Sequence, residues 1–262
     1  MGSAAVGERP KFGRTTRCVV AVMAAAVVAV AVPANTASAA ASTPTSALTV
    51  RAFSPAPGEV VGIGEPLVIT FSRPVADRAV AERALTINAP ERPSGQFEWL
   101  DDETLQFKPT GFWPAHSDIT VTMDGFKTDV TTGAGVVGVA SISTHRFKVS
   151  IDGSLARDMP ASMGKPSRPT PVGSFTVLDR NRTVVMDSRT IGIPLSSPEG
   201  YLITASYAER ITNSGVYVHS APWSVDSQGN ANVSHGCINL SPDNAAWYFN
   251  NVSVGDPIII NG

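Results

Sequence analysis

The sequence, 262 residues long, predicts a mainly β protein of two domains. Three observations carry that expectation. The 22 glycines and 20 prolines make up about 16% of the chain, above the ~12% of an average protein and typical of turn-rich β structure. Apolar and polar residues alternate with period two along most of its length. Near residue 140 the texture changes: residues 41–144 hold seven basic and twelve acidic groups, whereas 145–262 hold nine of each. A formal charge of −2 excludes a nucleic-acid partner bound through bulk positive charge. Two cysteines exclude a disulfide scaffold and a Cys₄ zinc site.

The first 39 residues read as a secretory leader. Lys11, Arg14 and Arg17 open it, an apolar run extends from Cys18 to Val32, and Ala37-Ser38-Ala39 offers a small-residue cleavage site. The run is shorter than the ~20 residues a membrane-spanning helix needs. The expected location is therefore outside the cytoplasm, in a cell-wall or periplasm-like space, with a membrane tether as the alternative if the leader stays on. Removing it leaves residues 41–262 with a net charge of −5 and Cys237 as the sole thiol. Residues 40–47, AASTPTSA, form a linker.

Elements then follow in order. LTVRAF, PLVITFS, FEWL, TLQF and DITVTM each alternate as strands, with Asp101-Asp102-Glu103 turning between the third and fourth. Val75 to Leu85 is the exception, a short helix with Val75, Ala79, Ala81 and Leu85 on one face. Short strands with Pro/Gly-rich connections make this block a β-sandwich. HRFKVSIDGSLARDM is a hairpin about Asp152-Gly153, a dipeptide suited to positive φ. The one convincing helix of the second block starts at Ser241-Pro242-Asp243, with Ser as N-cap, Pro in the first turn and an acid at the positive helix end. A closing strand, IIIN, follows.

Two motifs are set aside. Gly133 to Gly138 spells G-x-G-x-x-G, but no strand–helix unit surrounds it, so it reads as an inter-domain turn. Ser162-Met163-Gly164-Lys165 spells S-x-x-K, but S-D-N and K-T-G are missing and no helix can run through SRPTP.

The chemistry concentrates at His219, His235 and Cys237. Gly215-Val216-Tyr217-Val218-His219 alternates, and so does Ser234-His235-Gly236-Cys237-Ile238-Asn239-Leu240, which puts His235, Cys237 and Asn239 on one face. A thiol attacks a carbonyl as thiolate, and a neighbouring imidazole takes its proton. His235 is two residues from Cys237, about 6.6 Å along an extended strand. Residues opposite each other on neighbouring antiparallel strands come to about 5 Å, so His219 meets the sulfur more easily. The N–H groups of Gly236 and Cys237 could bind an oxyanion. A zinc site lacks the usual ligand spacing. A structural cysteine with two satisfied histidines is the remaining alternative.

HSAPWS (219–224) with SHGCIN (234–239) resembles the signature of the L,D-transpeptidases, the YkuD catalytic domain, in the form that follows an immunoglobulin-like domain. MGKPSRPTPVGSF, VVMDSRTIGIPLSSPEGY and SGVYVHSAPWS agree, and the resemblance covers about residues 48–262. It implies an immunoglobulin-like β-sandwich (48–142) followed by a YkuD-type mixed β catalytic domain with one notable helix (143–262). The GAGVVGVASIS connection between them is shorter than the pattern has. It also implies a reaction without metal or cofactor. Cys237 attacks the diaminopimelate–D-alanine bond of a peptidoglycan tetrapeptide stem, D-alanine leaves, and the side-chain amine of another diaminopimelate takes the acyl group. His219 is then the general base, oriented by the Ser220 carbonyl, and Gly236 and Cys237, with the Tyr201 hydroxyl, form the oxyanion hole. Tyr201, Ser214, Gly215 and Asn239 match substrate-binding positions. Met186, Trp223 and His235 match pocket walls, the first and second equally well as packing. Carbapenem β-lactams are the implied covalent inhibitors. An L,D-carboxypeptidase using water and an inactive wall-binding module are the alternatives.

Overall fold

The structure, a computed structural model, describes residues 48–91 and 94–262. The leader and linker lie outside the described residues. In the first domain the strands run in chain order β1 (Val50–Ser54), β2 (Val60–Val61), β3 (Leu67–Phe71), β4 (Thr86–Asn88), β5 (Gly95–Trp99), β6 (Thr104–Pro109), β7 (Asp118–Met123) and β8 (Phe126–Thr132). They form two four-stranded sheets, ordered β1-β3-β6-β5 and β2-β8-β7-β4. Alternation explains the core. Leu67, Ile69 and Phe71 of β3 and Ile119, Val121 and Met123 of β7 are almost fully buried, while the residues between them reach the surface. Asp101 fixes the β5–β6 turn by accepting from the Glu103 N–H at 2.7 Å.

The helix α1 (Arg78–Ala84) is shorter than its apolar pattern, because Asp77 caps it by accepting from the Val80 N–H at 3.1 Å. Ala81 and Leu85, four residues apart, face the core. Ala79, expected beside them, is exposed, since two residues turn the helix by about 200°.

The second domain adds β9 (Val136–Ser141), β10 (Arg146–Ile151), β11 (Ser154–Pro160), β12 (Gly173–Thr176), β13 (Asp179–Asp187), β14 (Leu202–Arg210), β15 (Tyr217–Ser220), β16 (Ile238–Leu240), the helix α2 (Pro242–Asn251) and β17 (Pro257–Asn261). One sheet is ordered β11-β10-β9-β17-β12 and the other β13-β14-β15-β16. The helix α2 contacts β14 and β15, and its Tyr248 meets Phe147 of β10 edge-on at 5.0 Å, which joins the two sheets in one core. Ser241 caps it as the sequence expects, accepting from the Asn244 N–H.

One boundary is corrected. Val136–Ser141, placed with the first domain by the 48–142 division, pairs with β10 and, in parallel, with β17. The second domain therefore begins at about Gly135. The G-x-G-x-x-G string is only partly a turn: its last three residues are strand, and a side chain at Gly138 would collide with the ring of Phe147.

The junction between the domains is made of backbone. The Gly62 N–H donates to Val254 O at 2.7 Å, Gly64 N–H to Gly255 O at 2.9 Å, and Ile63 N–H to the Asp256 carboxylate at 3.3 Å. On the other side, Asp152 accepts from the Gly135 N–H at 2.9 Å and contacts His116 Nε2 at 3.1 Å. A Cβ at Gly62 would overlap the Asp256 backbone, so only glycine allows this approach. Two carboxylates are enclosed here. Burial pushes both Glu65 and Asp256 up to about 7, for Asp256 against the N–H groups of Ser253 and Ile63 that favour its ionised form.

Two measurements test this junction. Gly62→Ala forces the domains apart and loses up to three hydrogen bonds, each worth about 0.5–1.5 kcal/mol. Calorimetry should then resolve the first domain melting below the second; a single unshifted transition would refute the close approach. Asp256, whose folded pKa is raised, contributes stability that is full below about pH 4 and is lost as pH rises through about 7. The melting temperature of wild type relative to Asp256→Asn should therefore fall between pH 5 and pH 8, and a constant difference would contradict it.

Candidate active site

The cleft is built where β15 and β16 lie side by side. They pair in parallel, with Val218 opposite Ile238, His219 opposite Asn239 and Ser220 opposite Leu240. This corrects the expectation of antiparallel neighbours. The connection crosses over through a 3₁₀ segment, Pro222–Ser227, and re-enters the sheet in the same direction. Only Ile238–Leu240 of the alternating stretch is strand; Ser234 forms an isolated bridge with Gly164 and residues 235–237 bend, with Gly236 at φ 127°, a conformation that favours glycine.

His219 is almost fully buried, and its Nδ1 lies 2.8 Å from the Ser220 carbonyl oxygen. A carbonyl only accepts, so Nδ1 carries the proton and Nε2 is left as a base. Burial lowers the imidazole to about 4, against the opposing pull of the Ser220 bond. Cys237 is partly exposed, with its Sγ 3.9 Å from the Gly215 carbonyl oxygen. Burial raises the thiol to about 11, opposed by the Tyr217 backbone N–H. Both groups are therefore neutral at rest at pH 7. The proton sits on sulfur.

The bend that carries Cys237 is held by two hydroxyl groups. Ser234 Oγ accepts from the Gly236 N–H at 3.0 Å and donates to the Cys237 carbonyl at 2.7 Å. Thr170 Oγ1 donates to the Gly236 carbonyl at 2.8 Å and accepts from the Gly164 N–H at 2.8 Å. The Gly236 N–H, expected in the oxyanion hole, is thus engaged by Ser234 within the loop; Gly236 serves by its φ.

Met186, Tyr201, His219, Trp223, His235, Cys237 and Asn239 line one cleft of about 410 Å³. The Asn239 amide nitrogen donates to Ser224 Oγ at 3.1 Å, and its oxygen has no hydrogen-bond partner among the described residues. Ser220 supplies its carbonyl from behind. Ser214 and Gly215 lie outside the lining, on the turn before β15, where Thr212 Oγ1 contacts Ser214 Oγ at 2.9 Å and Gly215 has φ 91°. Sequence reasoning missed Thr170, Lys165 and Glu199, which reach the site only by long-range contacts, although the first two fall in the MGKPSRPTPVGSF block. Ser162 is fully buried and donates to the Ala231 carbonyl at 2.7 Å, which removes it as a nucleophile. Among the described residues no three His, Cys, Asp or Glu side chains converge as metal ligands.

A neutral pair has a measurable signature. Alkylation of Cys237 by iodoacetamide, followed by peptide mass, should rise about tenfold per pH unit from pH 7 to pH 10. A plateau below pH 8 would instead reveal a resident thiolate–imidazolium pair.

Comparison with known proteins gives this geometry a family. Residues 135–260 match the L,D-transpeptidase catalytic domain (YkuD), and residues 20–129 match a bacterial Ig domain. L,D-transpeptidase 1 of Mycobacterium tuberculosis is 58% identical over 213 residues, covering 81% of this chain and 85% of the relative. The solved structure of LD transpeptidase LdtMt1 in complex with imipenem is 57% identical, with a TM-score of 0.76 over 81% of this chain and 99% of that one. L,D-transpeptidase 3 from M. tuberculosis, solved with a faropenem-derived adduct, is 47% identical, with a TM-score of 0.75 over 82% and 98%. With a bacterial Ig domain in front of an L,D-transpeptidase catalytic domain, the chain belongs to the L,D-transpeptidase family.

Proposed function

We propose that Cys237 and His219 act as one unit that moves an acyl group between peptidoglycan stems. The observation that carries this reading is the buried His219 ring, fixed by Ser220 with Nε2 left as a base, on the strand beside the loop that holds the only thiol of the described residues. As a tetrapeptide stem fills the cleft, Nε2 takes the thiol proton and sulfur attacks the carbonyl of the diaminopimelate–D-alanine bond. The Cys237 N–H and the Tyr201 hydroxyl stabilise the oxyanion. The bond to D-alanine breaks, and His219 returns its proton to the leaving amine. The amine of a second diaminopimelate then attacks the thioester, C–S breaks, and His219 relays a proton back to sulfur. The product joins two diaminopimelates.

Asn239, with its free amide oxygen, is suited to accept from a stem N–H, and Trp223, about half exposed, forms an apolar wall. Capture of β-lactams by the same thiol is supported by the imipenem and faropenem structures of the relatives. The substrate lies outside the membrane, which agrees with the leader-like composition of residues 1–39 and supports an extracytoplasmic location.

Incubation with disaccharide-tetrapeptide and mass spectrometry of the products tests this. A dimer formed with loss of D-alanine is expected; tripeptide alone would identify a carboxypeptidase, and no product an inactive binder. Cys237→Ala should abolish turnover, and His219→Ala should lower acylation by about 10²–10⁴-fold. His235→Ala should do less. Acylation should persist to about pH 5 and fall below it as His219 gains its proton, a limb that His219→Ala removes.

A further inference from the structure

Gly236 and Cys237 carry four backbone polar groups, and two hydroxyls hold three of them. Ser234 Oγ takes the Gly236 N–H and the Cys237 carbonyl, and Thr170 Oγ1 takes the Gly236 carbonyl. The fourth, the Cys237 N–H, donates to no group among the described residues. The peptide bond between Gly236 and Cys237 is trans, so the Gly236 carbonyl and the Cys237 N–H point in opposite directions from one plane. Whatever fixes that oxygen therefore fixes that hydrogen. Thr170 is almost fully buried and lies outside the cleft lining, to which Ser234, His235 and Cys237 all belong.

The Thr170 hydroxyl stands on a frame that does not include the nucleophile. It accepts from the Gly164 N–H at 2.8 Å, so its one proton is committed to the Gly236 oxygen, also at 2.8 Å. A side chain at Gly164 would overlap the Arg168 carbonyl and the Thr170 nitrogen, so the turn from 164 to 170 stays closed. The segment 162–165 brackets the loop at both ends. Ser162 exchanges backbone bonds with Asn239 at 3.1 and 2.8 Å, while Ser234 donates to Met163 O and accepts from the Lys165 N–H, each at 3.0 Å. Between those fixed ends, the Gly236–Cys237 peptide plane can still rotate by turning ψ of Gly236 against φ of Cys237. Glycine has no Cβ to resist that rotation.

We propose that Thr170 is a positioning residue for the oxyanion hole: by holding the Gly236 carbonyl from behind, it aims the Cys237 N–H into the cleft, at the oxygen of the carbonyl under attack. This rests on the acyl-transfer reading above. As sulfur adds to the carbonyl carbon, the π pair moves onto oxygen, and the N–H already aimed there receives the charge without reorganising. When the leaving group departs, that pair returns and the carbonyl re-forms. Thr170 stays outside the cleft and acts only through the peptide plane. Without its hydroxyl, the Gly236 carbonyl and the Gly164 N–H lose a partner together. The plane is then free to turn its N–H away while the Cys237 side chain keeps its place.

Two reactions of Cys237 separate this role from a general loosening of the site. Imipenem acylates the thiol through a tetrahedral oxyanion. Iodoacetamide alkylates it at a saturated carbon, displaces iodide and forms no oxyanion. Both rates are followed in the full chain by peptide mass at Cys237. Thr170→Val, similar in shape but without the hydroxyl, should slow acylation by about 10²-fold, the scale of one lost oxyanion donor. Its alkylation rate should match wild type, and the acid limb that His219 gives to acylation should keep its midpoint. Thr170→Ser, which keeps the hydroxyl, should recover most of the acylation rate. If the valine variant does not fold, Thr170→Ala takes its place with the same expectations. Equal losses in both reactions, a displaced acid limb or a serine variant as slow as valine would show a merely structural role and overturn the proposal. So would an unchanged acylation rate in Thr170→Val. A wild type that imipenem leaves unmodified would instead sink the acyl-transfer reading.

Discussion

Everything at the site depends on the register between β15 and β16. Three paired positions, with Val218, His219 and Ser220 opposite Ile238, Asn239 and Leu240, set side by side two segments twenty residues apart in the chain. The Ala221 N–H extends that register to Leu240 O at 2.8 Å, and Ser162 and Asn239 exchange backbone bonds at 3.1 and 2.8 Å on the far side. Side chains alternate across a sheet, so a slip of one residue would turn His219 into the core and Val218 toward the cleft. The alternating apolar set, with Val218, Ile238 and Leu240 fully buried, makes such a slip costly. Apolar burial thus fixes where His219 and Asn239 stand.

The same burial decides the protonation of the dyad. In a cysteine enzyme with a resident ion pair, the imidazolium lowers the thiol and the thiolate raises the imidazole. Here burial lowers the imidazole to about 4 and raises the thiol to about 11, which keeps the proton on sulfur. Ser220 fits that scheme, because a neutral carbonyl orients the ring without supplying the charge an aspartate would.

Legibility in the sequence followed the range of the interaction. The period-two strands, the Asp152-Gly153 hairpin and the Ser241 cap are local, and each is plain in a handful of residues. The sheet that β9 joins was not, since VVGVAS fits either domain and its partner β17 lies more than a hundred residues later. Parallel pairing of β15 with β16 was also invisible, because a connection of this length closes in either direction. At the site, the thiol and two histidines stood out by rarity. The fixing of His219 by a carbonyl came from the family resemblance, and the loss of the Gly236 N–H to Ser234 depends on a bend that alternation cannot show. Thr170, Lys165 and Glu199 are common surface residue types, and only the folded chain sets them around Cys237.

The junction between the domains has a mechanical consequence. Three residues, Gly133 to Gly135, connect β8 to β9, and both flanks of that connection are pinned, by Gly62 and Gly64 on one side and by Asp152 with His116 on the other. A hinge needs backbone free to turn, and here the Gly133 N–H donates to Val61 O and the Gly135 N–H to the Asp152 carboxylate. The first domain is therefore a strut and not an arm.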